Sequence, residues 1–140
     1  MFKNILALDY GTKRWGLAFC DELRVVFALP AATQLSFEER VTYLKGVIKQ
    51  RQVSLLLVGL PLTLEGNKSA LTLGVESFIE KTLQPLGLPI QTIDEGLSSY
   101  AAESATPKPK MKKGRPVRDG TVDSKAAALL LEDYIAQHTQ

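Results

Sequence analysis

The 140 residues predict an α/β fold: one mixed five-stranded sheet, with three antiparallel hairpin strands followed by two parallel strands, and helices on both faces. Three observations predict it. Apolar runs of strand length crowd the first third and are separated by turns too short for anything but hairpins. Later strand-like runs alternate with segments of helical period. One of those runs, 53–61 (VSLLLVGLP), is apolar throughout, as expected of a strand covered on both sides. With no internal repeat and no break in composition, the chain reads as a single domain, 1–140.

The elements follow in order. Residues 3–9 (KNILALD) are an apolar run closed by a charge; 14–20 (RWGLAFC) follow the turn YGTK, and 24–29 (RVVFAL) follow the turn DEL. Pro30 is expected to end the third run. In 36–51, Phe37, Val41, Leu44, Val47 and Ile48 share a helical face, and Ser36 with Glu39 has the spacing of a capping box. After the buried run, 68–84 reads as a second helix with Leu71, Val75, Phe78, Ile79 and Leu83 inward, and 88–94 (LPIQTID) as a fifth strand. A short helix is expected over 98–105. Residues 106–120, with three prolines, two glycines and six basic side chains, read as a loop. The segment 123–137 is helical by period, with Ala126, Ala127, Leu130, Leu131, Tyr134 and Ile135 on its apolar face. The last two strands are expected to run parallel to the first.

Bulk composition narrows the class. A hydrophobic fraction of 45% and a charged fraction of 23% suit a soluble globular protein. A lone cysteine, Cys20, excludes an internal disulfide framework and points to a reducing, cytoplasmic setting, with Cys20 itself a small buried apolar residue. The first residues lack the pattern of a signal peptide, and no stretch is long enough for a membrane span. The net charge of +2 hides an asymmetry: Lys108, Lys110, Lys112, Lys113, Arg115 and Arg118 lie together without an acid, so the rest of the chain is net −4. A concentrated basic segment on an acidic body suits a polyanionic partner.

Acids at the ends of elements carry the chemistry. Asp9 ends the first strand, Glu95 (beside Asp94) the fifth, and Asp123 opens the last helix. Parallel strands send their C-terminal ends to one edge, where open α/β sheets bind ligands. Carboxylates gathered there repel one another unless cations sit between them, and hard oxygen donors suit Mg²⁺ or Mn²⁺. Two such ions about 4 Å apart activate a water and stabilise a leaving oxygen of a phosphodiester. The sole histidine, His138, stands too near the end of the sequence to anchor a His-based mechanism. Each acid also has a plainer reading: Asp9 shaping a turn, Asp123 capping a helix, Glu95 solvated in a loop. Lys13 and Arg14, after Gly11, and Lys112, Lys113 and Arg115 are candidates for phosphate contacts. Gly59-Leu60-Pro61 is either a plain strand exit or a backbone surface near substrate, with Glu65 a spare acid. Tyr10 and Trp15 could stack on bases, although a Trp in an alternating strand is more often core.

LALDYGTKRWGLAFCD (6–21), LLLVGLPLTLEG (55–66), IDEGLSS (93–99) and VDSKAAALLLEDYI (122–135) together resemble the YqgF family, also called RuvX. These bacterial RNase H-like proteins are described both as Holliday junction resolvases and as nucleases that process the 5′ end of pre-16S ribosomal RNA. The resemblance spans essentially the whole chain. It implies an RNase H-like fold and a nuclease in which Asp9, Glu95 and Asp123 bind the metal ions. It implies a nucleic-acid partner (pre-rRNA or branched DNA), ribosomal particles as a further partner, and a monomer or homodimer. The basic loop before Asp123 matches a variable segment thought to approach nucleic acid. One departure stands out: the family has Arg after Asp-Glu, and here Gly96 takes its place, while Leu97 and Ser98 fit. Two other classes compete. An actin-like phosphate-binding module also begins with Asp-x-Gly-Thr, but such proteins close two domains on a nucleotide. A non-catalytic nucleic-acid-binding assembly factor would bind RNA without cutting it.

Overall fold

The computed structural model describes residues 3–62, 65, 67–94 and 124–138. Five strands form one sheet: β1 (Ile5–Tyr10), β2 (Trp15–Cys20), β3 (Phe27–Ala32), β4 (Leu55–Leu60) and β5 (Ile90–Asp94). Their spatial order is β3-β2-β1-β4-β5. The three hairpin strands are antiparallel, and β4 and β5 run parallel to β1, as the pattern of runs predicts. β4, the continuous apolar run, lies between β1 and β5 and is buried from Leu55 to Gly59. β1 and β5 are therefore both neighbours of β4 rather than of each other.

Helix α1 (Phe37–Gln50) begins on the expected capping box: the Ser36 hydroxyl accepts the Glu39 amide, and the Glu39 carboxylate accepts the Ser36 amide. Helix α2 (Ala70–Phe78) is capped in the same way by Ser69 and Thr72. It continues into a π-helical stretch, Ile79–Leu83, and a 3₁₀ turn, Gln84–Leu86, closed by Gly87 at φ 84°. The last helix, α3 (Lys125–His138), buries Ala127, Leu130, Leu131 and Tyr134.

Strand alternation splits the core in two. Leu6, Leu8, Leu17, Leu56 and Val58 meet α1 and α2 on one face. Ile5, Ala7, Ala18, Leu55, Leu57 and Ile93 meet α3 on the other. Successive side chains of a strand point to opposite faces, so this division also fixes the direction of every polar residue along the same strands.

Three expectations need correction. The third strand starts at Phe27 because Asp21 closes a turn: its carboxylate accepts the Leu23 amide, its carbonyl accepts the Arg24 amide, and Arg24 takes a left-handed φ of 63°. Pro30 does not end that strand. It sits within β3 at an irregularity where Gly16 of β2 faces both Pro30 and Ala31, the register running Trp15↔Ala32 and then Leu17↔Leu29. Leu71 is 68% exposed, and Thr72 is buried in its place. The helix starts from Ser69, and the Thr72 hydroxyl turns inward to donate to the Pro61 carbonyl. The helix expected over 98–105 and the loop over 106–120 lie outside the described residues. No described helix is long and apolar enough to cross a membrane.

Candidate active site at the carboxyl edge of the sheet

Asp9 is the penultimate residue of β1, and alternation sets it with Ile5 and Ala7 on the face covered by α3. The strand positions beside it carry no side chains. Its register partner on β2 is Gly16. On the other side, Gly59 stands one residue beyond Val58, the partner of Leu8. The Asp9 carboxyl thus projects near the sheet edge on the α3 side, between two glycine positions. It makes no hydrogen bond or ion pair with any described residue. Burial pushes its pKa up from 3.8 to about 6. A half-buried carboxylate with oxygen donors and no cationic partner among the described residues is the chemistry that fits a hard divalent ion. Among the described residues no group of three His, Cys, Asp or Glu side chains is placed to share one.

The start of α3 comes to the same strands. Ser124, one residue before the helix, is fully buried; its Oγ accepts the Leu17 amide at 3.0 Å, and its hydroxyl donates to the Leu29 carbonyl. At β5, Ile93 faces α3, whereas Asp94 alternates to the opposite face.

The turn after Asp9 is tight and braced. A Cβ at Gly11 would lie 2.7 Å from the Arg14 carbonyl oxygen, so only glycine fits without a backbone shift. Thr12, Lys13 and Arg14 are exposed. Beneath them Arg40, only 8% exposed, donates to the Gln34 carbonyl at 2.7 Å and reaches the Thr12 carbonyl at 3.5 Å, with its guanidinium over the Trp15 ring. No described carboxylate pairs with it. Trp15 is wholly buried in the core, and the partly buried Tyr10 packs against it, stacking on Phe78 at 4.1 Å. Cys20 is buried, as expected. Glu65 is exposed.

Of the metal-binding and phosphate-binding residues chosen from sequence, the described structure therefore contains Asp9, Lys13 and Arg14. Glu95, Asp123, Lys112, Lys113 and Arg115 lie outside the described residues, as does Gly96. Reading the sequence missed Ser124, Gly16 and Arg40. Gly16 interrupts a strand otherwise rich in large residues, and a glycine inside a strand signals a bulge or a close approach. Ser124 and Arg40 carried no such signal.

Comparison with known proteins places this architecture. A family model described as RuvX, Holliday junction resolvase, matches residues 3–137. A candidate pre-16S rRNA nuclease from Synechococcus elongatus is 34% identical over 137 residues, covering 96% of this chain and 90% of the relative. A counterpart from Chlorobium phaeobacteroides is 36% identical over 134 residues, with 95% and 92% covered. Among solved structures, Thermus thermophilus RuvC in complex with a Holliday junction substrate covers 98% of this chain and 97% of its own, at a TM-score of 0.53 and 15% identity. At that identity the likeness is one of fold, and the fold is RNase H-like.

Proposed function

The chain belongs to the RuvX family, and from that premise we propose that it is a metal-dependent endonuclease that trims the 5′ end of precursor 16S ribosomal RNA. The observation that carries this reading is the Asp9 carboxyl: half-buried, without a partner among the described residues, and raised to a pKa of about 6 at the strand edge where the fold gathers ligands. The names of the curated relatives favour precursor RNA as substrate.

In this reading Asp9, Glu95 and Asp123 hold one or two Mg²⁺ or Mn²⁺ ions. The chemistry those ions supply is activation of a water and neutralisation of the leaving oxygen. The rest is done by the chain. Asp9 presents oxygen from a rigid strand, with glycines and no side chains at the strand positions on either side. Asp94 alternates to the face opposite Asp9, so this reading assigns the second acid to Glu95, the next residue in sequence. Asp123 directly precedes Ser124, which is anchored to β2 and β3. Lys13 and Arg14, on the turn after Asp9, meet phosphate oxygens and hold the nucleic-acid strand in register, and Lys112, Lys113 and Arg115 of the basic segment add further phosphate contacts. The protein works in the cytoplasm, with Cys20 reduced.

A second reading has one specific support: the family model is described as a Holliday junction resolvase. One experiment addresses both. Purified protein is given precursor RNA and a four-way DNA junction, with and without Mn²⁺. Metal-dependent cutting of the RNA is expected, with Asp9→Asn reducing the rate by at least about 100-fold, the scale on which an essential metal ligand acts. An Asp9→Asn protein as active as the wild type would refute the nuclease reading. Cutting of the junction alone would shift the substrate to branched DNA.

A further inference from the structure

Ser124 does more than precede a helix. Its hydroxyl bridges the Leu17 amide of β2 and the Leu29 carbonyl of β3, two residues that are register partners. They border the place where Gly16 faces both Pro30 and Ala31. Gly16 is in turn the partner of Asp9. One hydroxyl, with no measurable exposure, therefore ties the beginning of α3 to an irregular strand pair one strand away from the Asp9 carboxyl. The other carbonyl of the bulge, that of Pro30, is taken from the opposite face by the Tyr43 hydroxyl at 2.8 Å.

We infer that Ser124 is a positioning residue: its hydroxyl sets the distance between the start of α3 and the Asp9 carboxyl, and so the geometry in which Asp9 meets a divalent cation. The inference rests on the reading of Asp9 as a metal ligand. Hydrogen bonds that brace the framework behind a ligand govern affinity, because a shifted β2–β3 pair moves Gly16, and with it the neighbouring Asp9 carboxyl, from its set position. A serine that only stitched the core together would affect stability and leave the cation alone.

The test measures Mn²⁺ binding to the RNA-free protein by calorimetry, beside the thermal midpoint of the metal-free protein. Ser124→Ala is expected to weaken Mn²⁺ binding by about tenfold, the lower end for such groups. Tyr43→Phe removes the equivalent bond on the other face and serves as the control. It is expected to lower the thermal midpoint with Mn²⁺ affinity unchanged. If Ser124→Ala lowers the midpoint yet binds Mn²⁺ as tightly as the wild type, the inference is overturned. Should Ser124→Ala fail to fold, Ser124→Cys keeps the volume with a weaker donor: lost affinity supports the inference, and retained affinity overturns it. Asp9→Asn separates the two levels. If that variant binds Mn²⁺ like the wild type, the metal reading of Asp9 fails and the inference falls with it.

Discussion

Asp9 carries an energetic cost that can be measured without any substrate. Its carboxyl has a folded-state pKa of about 6 against an unfolded value of 3.8. The folded protein therefore holds this proton more tightly than the unfolded chain does. The associated stability is fully present below pH 3.8 and is lost as pH rises through about 6. At neutral pH the metal-free protein carries an ionised, desolvated group costing at most roughly 3 kcal/mol. Asp9→Asn should accordingly be more stable than metal-free wild type at pH 7, with the gap closing as pH falls towards 3.8; denaturant midpoints across that range measure it. An equal gap at every pH would show that the carboxyl is not desolvated. Gly11→Ala should act in the other direction, costing about 1–3 kcal/mol because its Cβ meets backbone and not a yielding side chain. A residue-scale reading of the sequence could find Asp9, since a lone acid closing an apolar run is conspicuous. It could not find Ser124, because a serine before a helix looks like any cap and its real partners, Leu17 and Leu29, are more than 90 residues away. Arg40 was hidden for another reason: a charged residue on a helix is expected in solvent, whereas this one folds back on the nearby Gln34 and Leu35 carbonyls and reaches Thr12 across the fold.

The helices and strands were more legible than their ends. Ser36 and Glu39 fix the start of α1 by local chemistry alone, and the structure keeps both bonds. Ser36→Ala should cost about 1 kcal/mol, read as a lower denaturation midpoint with no change in the nuclease rate. The start of α2 was misread by phase, and Leu71 was assigned inward, because Thr72 is a polar residue that turns to the core. Its hydroxyl is satisfied by the Pro61 carbonyl, a partner outside its own helix. The π-helical stretch at Ile79–Leu83 has no signature in hydrophobic period, since it still buries Ile79 and Leu83. Pro30 shows the limit of a local rule. A proline that should stop a strand is tolerated in β3, because a bulge at the edge of a sheet asks for no amide there.

Across the whole molecule, topology followed from the order of runs: three hairpin strands, then strands reached by helical crossovers, gave parallel neighbours on the far side of β1. Contacts distant in sequence did not follow, which is why the α3 face and its link to the β2–β3 bulge came only from coordinates. That face should be a main source of stability: Leu130→Ala, at a site with no exposure, is expected to cost about 2–5 kcal/mol. Charge acts at the same scale. Neutralising Lys112, Lys113 and Arg115 together should flatten the dependence of log affinity for RNA on log salt by roughly two to three units, measured by fluorescence anisotropy. An unchanged slope would mean that the basic segment does not touch phosphate. The proline in β3 has one more effect. β3 forms an outer rim of the sheet, the kind of border along which unrelated chains zip together into aggregates. Pro30 offers an incoming strand no amide, and its carbonyl is already occupied by Tyr43. The rim is thus sealed at its centre, and crowding this protein in a cell should not drive it to polymerise through that border.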